Sequence, residues 1–197
     1  MFPACLRRVQ VDCIHLDEYV GMDSTHPASF AKYLQERFVD QLPAHNKPKS
    51  FTFVSGKGDP KSEVARLHEV ISGWPEIDVS FIGIGENGHL AFNDPPCDMS
   101  VSDAYLVVEL DEACRRQQLG EGWFPTMDDV PRQAISMSMQ WILKPKHLVV
   151  TCPDGRKSTA VKACLHGPMS PSCPASYLRS HPSAVLFIDQ GAASQLK

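Results

Sequence analysis

Apolar residues recur along this chain with two different periods, and segments of the two kinds follow one another. Val9 to Leu16 alternates and then runs apolar, which predicts a strand; Ser50 to Val54, Ile77 to Ile84, Tyr105 to Leu110, Gln133 to Met139, His147 to Cys152 and Ala184 to Asp189 read the same way. Helical spacing appears between them. Phe30, Tyr33, Leu34 and Phe38 follow a Ser24-Thr25-His26-Pro27 start signal, and their helix must end before Pro43. Val64, Leu67, Ile71 and Trp74 form one stripe of Lys61 to Trp74, Asp111 to Leu119 is a shorter helix, and Arg156 to Leu165 stops at Gly167. The alternation predicts an α/β fold, a single domain over 1–197, with a largely parallel, Rossmann-like sheet covered by helices on both faces. Ile77 to Ile84 is expected to be a buried strand. Gly120 to Asp129, with Trp123, Phe124 and Pro125, reads either as a mobile loop over a site or as exposed packing.

Composition narrows the partners more than it changes the fold. With 197 residues, of which 43% are hydrophobic, the chain can build one substantial core. A net charge of -4 gives no basic footprint, so nucleic acid is not expected as a partner. Seven cysteines, odd in number and without a C-x-x-C pair, read as reduced packing residues, with neither a disulfide framework nor a zinc site indicated. The start of the chain has no apolar stretch suited to a signal peptide, and no segment approaches the length of a membrane span. A cytoplasmic protein with no membrane partner is the expectation.

The chemistry concentrates in Gly85-Glu86-Asn87-Gly88-His89-Leu90-Ala91-Phe92-Asn93-Asp94, which follows the apolar run 77–84 and ends in Pro95-Pro96. An imidazole delivered between glycines and a carboxylate at a strand's carboxyl end is where open α/β sheets hold ligands. Gly83, Gly85 and Gly88 formally satisfy G-x-G-x-x-G, but two consecutive prolines exclude the long helix that a dinucleotide's pyrophosphate requires. An isolated histidine here would be read as a structural turn. A second segment, Asp17-Glu18-Tyr19-Val20-Gly21, changes that, because its two carboxylates sit at the end of the Val9 to Leu16 strand as the histidine does on its own strand. Adjacent carboxylates of this kind are otherwise usually just solvated.

Together, Leu-Asp-Glu-Tyr-Val-Gly at 16–21 and Gly-Ile-Gly-Glu-Asn-Gly-His-Leu-Ala-Phe-Asn-Asp-Pro at 83–95 closely resemble the two catalytic signatures of the glucosamine-6-phosphate deaminase (isomerase) family. His26-Pro27, Gly155-Arg156-Lys157 and Ser180-His181-Pro182 extend the likeness along most of the chain. The sister 6-phosphogluconolactonases have a comparable glycine-rich segment around their histidine, but typically lack the 91–95 continuation and this form of the first signature.

The resemblance implies a cofactor-free aldose-ketose isomerase that deaminates glucosamine 6-phosphate to fructose 6-phosphate and ammonia, an activity expected to be that of a hydrolase of amino-sugar catabolism. Its partner would be a small amino-sugar phosphate, with a homo-oligomer possible in such a family. Asp17 resembles the base for the C2 proton, and His89 the ring-opening acid and base. Asp94 stands where the family has an orienting carboxylate, usually glutamate, and Asn87 where many members have aspartate. Lys157 aligns with a phosphate-binding lysine, with Glu18, Gly85 and Gly88 completing the substrate-binding set; no metal ligand is implied. Arg115 and Arg116 stand near the place of a second phosphate contact. The family's opening strand, helix and phosphate loop have no counterpart before Asp17, so the sheet is expected to lack its N-terminal strand and helix. A phosphosugar lactonase and a catalytically silent sugar-phosphate-binding protein are the alternatives.

Overall fold

The computed structural model describes residues 11–196. Its strands are β1 (Asp12–Ile14), β2 (Asp17–Tyr19), β3 (Ser50–Thr52), β4 (Val79–Gly83), β5 (Tyr105–Glu109), β6 (Gln133–Met137), β7 (His147–Cys152) and β8 (Ala184–Ile188). Its α-helices are α1 (Phe30–Leu34), α2 (Pro60–Ser72), α3 (Glu112–Gly120), α4 (Met139–Ile142) and α5 (Ser158–His166). Val9 and Gln10, predicted to begin the first strand, lie outside the described residues.

The mixed α/β architecture is the one the periodicity predicts, with parallel pairing of β4 with β7, β7 with β8, and β1 with β3. A three-strand antiparallel ladder, β2-β6-β5, stands beside these parallel pairs. The predicted sheet is largely parallel, yet β5 and β6 on either side of α3 run antiparallel. Periodicity marks the elements but carries no information on strand direction.

Helix starts follow local capping chemistry. Asp59 caps α2 by accepting from Ser62 N, with Pro60 in the first turn, and Asp111 caps α3 by accepting from Cys114 N. The first helix begins later than its Ser24 to Pro27 signal, because the Ser29 side chain supplies the cap by accepting from Lys32 N; it then continues as a π-helical turn over Gln35–Val39. Gly167 ends α5 as predicted.

The main core gathers Leu67 and Ile71 of α2, the inward row Ile82, Leu148 and Val150, and Tyr105, Ile135 and Met137 of the antiparallel ladder. A second, smaller core gathers Tyr19, Phe92 of the 85–94 loop, Leu110, Phe124 and Ala134. The expectation of a wholly buried strand at 77–84 is corrected by β4 itself. Ile82 is 4% exposed, whereas Phe81 on the opposite face is 70% exposed. Phe81, Val149 and Val185 stand in register across β4, β7 and β8, and Val185 and Phe187 are also exposed. A strand's alternate side chains point to opposite faces, and among the described residues this outer row remains open.

Candidate active site

Strand β6 brings the two signatures together. Asp17 is paired with Ser136 in the β2–β6 ladder, and the hydroxyl of Ser136 accepts a hydrogen bond from Phe92 N at 3.0 Å. Asn93 completes the attachment by donating from Nδ2 to the carbonyls of Met137 (2.8 Å) and Leu90 (2.9 Å). The loop 85–94 is thereby fixed against the strand that carries the first carboxylate. The motif alone assigns Asn93 no role, because a buried amide holding two backbone carbonyls leaves no mark in sequence.

Asp17 and Glu18 do not lie at the end of β1, as expected, but in a separate short strand whose alternation sends them to opposite sides. Asp17 faces a cleft of about 240 Å³ that is also lined by Gly85, His89, Gln117, Gln118 and Lys157. Walled by protein yet open to this cleft, its carboxyl is raised to about 7, chiefly by burial and further by the like charge of Glu18. Glu18 is buried, and its carboxylate accepts from Ser29 Oγ (2.7 Å), Ala31 N (3.0 Å) and Tyr19 N (3.0 Å). It is therefore occupied by the start of α1 and is not among the cleft residues, so the structure separates it from the other substrate-binding candidates. Tyr19 packs on Phe30 and Phe92 and donates to Gln118 Oε1 at 2.5 Å, linking β2 to α3.

His89 lies flat on Gly85, where any Cβ would fall among ring atoms Cε1, Nε2 and Cδ2. Gly88 does not line the cleft; it has φ +86°, which favours glycine, and shapes the turn before the histidine. Asn87 uses both ends of its amide: Oδ1 accepts from His89 N at 3.0 Å, and Nδ2 donates to Asp94 Oδ1 at 3.2 Å. The same Asp94 oxygen stands 3.1 Å from His89 Nδ1. This last contact is close but poorly aligned, and Nδ1 has no hydrogen-bond partner of good geometry. Burial alone would raise the Asp94 carboxyl, but the adjacent imidazole, with Asn87 and Cys114, outweighs it and holds the group below its usual range. Asp94 Oδ2 also receives the backbone N–H of Asp111 at the start of α3, at 3.4 Å.

Lys157 ends a 3-10 turn, Gly155–Lys157, leading into α5, and reaches the cleft. Arg115 does not. Its guanidinium is nine-tenths buried and donates to the carbonyls of Met127 and Val130 (2.5 and 2.9 Å). That contact and the buried Phe124 anchor the mostly exposed segment 120–129 to the body of the protein. Arg116 is exposed, ion-paired to Glu112, and lines a neighbouring hollow of about 530 Å³ with Glu86 and Arg156. That hollow is larger, but it lacks both Asp17 and His89, which the smaller cleft brings together.

A carboxyl raised to about 7, an imidazole beside a carboxylate and a lysine around one small cleft make a candidate site for proton-transfer chemistry on an α/β sheet. A protein-family profile described as "Glucosamine-6-phosphate isomerases/6-phosphogluconolactonase" matches residues 6–187, and the chain belongs to this family. It is 34% identical to a glucosamine-6-phosphate deaminase of Exiguobacterium sibiricum, covering 96% of this chain and 74% of that protein. Glucosamine-6-phosphate deaminase 1 of Bacillus subtilis is 33% identical, with 93% of this chain and 74% of the relative covered. Among solved structures, one described as a monomeric glucosamine-6-phosphate deaminase superposes with a TM-score of 0.81 at 32% identity, over 92% of this chain and 73% of that one. The 6-phosphogluconolactonase of Trypanosoma brucei superposes with a TM-score of 0.67 at 15% identity, covering 93% of this chain and 73% of that one, and so shares the fold.

The expectation of a hydrolase as the main activity is overturned by these relatives, which are named deaminases within a family described first by its isomerases. Among the described residues, no helix is long and apolar enough to cross a membrane.

Proposed function

We propose that the chain isomerises and deaminates glucosamine 6-phosphate, yielding fructose 6-phosphate and ammonia with uptake of one water. The observation that carries this reading is the shared cleft of Asp17, His89 and Lys157, with the Asp17 carboxyl raised to about 7. Moving a proton from C2 to C1 requires one group that accepts it and gives it back, and a carboxyl titrating near neutrality does both without a large uphill step. His89 serves the earlier step, passing a proton between the anomeric hydroxyl and the ring oxygen as the sugar opens. Asp94 and Asn87 fix the ring's position for that exchange. Lys157 takes the phosphate as a point charge. Glu18 acts only through Asp17, as a buried like charge and an anchor for β2.

The deaminase reading is favoured over lactone hydrolysis because the relatives named deaminases share 33–34% of aligned residues and the lactonase fold neighbour 15%. Six free thiols among the described residues suit the reducing cytoplasm. Incubating the purified chain with glucosamine 6-phosphate and measuring ammonia and fructose 6-phosphate in equal amounts tests the proposal. Hydrolysis of 6-phosphogluconolactone without ammonia release from the amino sugar would reverse it.

A further inference from the structure

We propose that His89, Asp94 and Cys114 form a binding site for a zinc-like divalent cation, and that the bound ion shuts the enzyme off. One nitrogen, one oxygen and one sulfur donor from these residues lie within 4.8 Å of one another. They come from two separate elements, the 85–94 loop and the first turn of α3, and the site is enclosed, with His89 and Cys114 buried. The second observation is His89 Nδ1 itself. It is buried and faces Asp94 Oδ1 at 3.1 Å in a contact too poorly aligned to make a good hydrogen bond, so the ring nitrogen and the carboxylate oxygen both lie at the cluster.

A tetrahedral zinc ion sits about 2.0–2.3 Å from N, O and S ligands, which places the ligands roughly 3.3–3.8 Å from one another. The ligand atoms here, within 4.8 Å of one another, draw closer around the ion by side-chain rotation. A mixed imidazole, carboxylate and thiolate set suits zinc or cobalt(II) and is poor for magnesium or calcium, which prefer oxygen ligands alone. Binding the ion releases the Cys114 thiol proton to solvent and replaces the close, misaligned contact between Nδ1 and Asp94 by two metal bonds. No oxidant or further reactant is needed.

The site stands on these distances alone; its consequence rests on the proposed function. With Nδ1 held by the ion, the ring can no longer take up and release a proton through the pair it forms with Asp94, so opening of the closed sugar stops. Asp17 lies outside the cluster, and proton transfer on an already open chain is spared.

Cobalt(II) provides a readout independent of turnover. Titrating the full chain with cobalt(II) should give one equivalent of tetrahedral ion with a thiolate-to-cobalt charge-transfer band. Cys114→Ser should abolish that band, and His89→Gln, which keeps the thiol, should weaken binding at least about tenfold. Cys173→Ser, at a half-buried thiol outside the cluster, should leave both unchanged. Zinc should then suppress ammonia release by the wild-type chain, with Cys114→Ser at least about tenfold less sensitive relative to its own metal-free rate. Failure of the wild-type chain to bind one cobalt ion, or a band that survives both cluster substitutions, overturns the site. Saturable cobalt binding at the cluster with no amino-sugar turnover would leave the site standing and refute the function instead.

Discussion

The imidazole of His89 rests directly on the α-carbon of Gly85, in the space that a side chain at residue 85 would fill. The glycine is thus the floor on which the ring is set. Gly85→Ala should displace His89 and lower turnover of closed-ring glucosamine 6-phosphate by about 100-fold or more, the usual size of a lost general acid or base. An open-chain analogue should lose much less, since its reaction skips ring opening. Equal losses on both substrates would show that the packing supports the whole site and not the ring-opening step.

Asp17 should make the protein less stable as pH rises. Its folded carboxyl titrates at about 7 against 3.8 unfolded, so between those values the native state holds the extra proton. Stability from this group is fully present below about pH 3.8 and is lost progressively up to about pH 7. Asp17→Asn, which never ionises, should therefore be more stable than wild type by about 1–3 kcal/mol at pH 8, after allowing for solvent at the open face, with the gain vanishing near pH 4. Denaturant melts at the two pH values check the sign. The acidic limb of wild-type kcat/KM should rise through the same region.

Much of the candidate site is legible because Asp17, Asn87, His89 and Asp94 are packed into two short motifs, and the run at 77–84 marks the strand beneath one of them. What escaped notice follows from how side chains are shared in three dimensions. Asp17 and Glu18 are neighbours in sequence, yet pleating sends one to the cleft and the other to Ser29 and Ala31. A three-residue strand is too short to show its period, so in sequence β2 reads as the end of β1. Arg115 stands in sequence near the place of a second phosphate contact, but its donors are spent on the carbonyls of Met127 and Val130. In sequence Cys114 reads as a packing residue, because nothing there shows that α3 starts against Asp94.

Glu18 should act on stability more than on chemistry. Glu18→Gln retains the shape but loses the charge that three donors address, and should cost about 2–3 kcal/mol in a denaturation experiment. KM for glucosamine 6-phosphate should change less than threefold. A large KM effect with unchanged stability would place Glu18 against substrate.

Lys157→Ala should raise KM at least about tenfold with a smaller effect on kcat, the pattern of an interaction made equally before and during the chemical step. Arg116→Ala, in the adjoining hollow, should leave KM within about twofold. A comparable rise in KM for Arg116→Ala would move the phosphate into that larger hollow.

The central claim is that Asp17 carries the proton between C2 and C1. Incubating wild type and Asp17→Asn with glucosamine 6-phosphate in deuterated water, and following label at C2 of the substrate and C1 of the product by NMR, measures that transfer directly. Wild type should incorporate solvent label while releasing ammonia, and Asp17→Asn should incorporate it at least about 100-fold more slowly while still binding substrate. Label entering at the wild-type rate in Asp17→Asn would contradict the account.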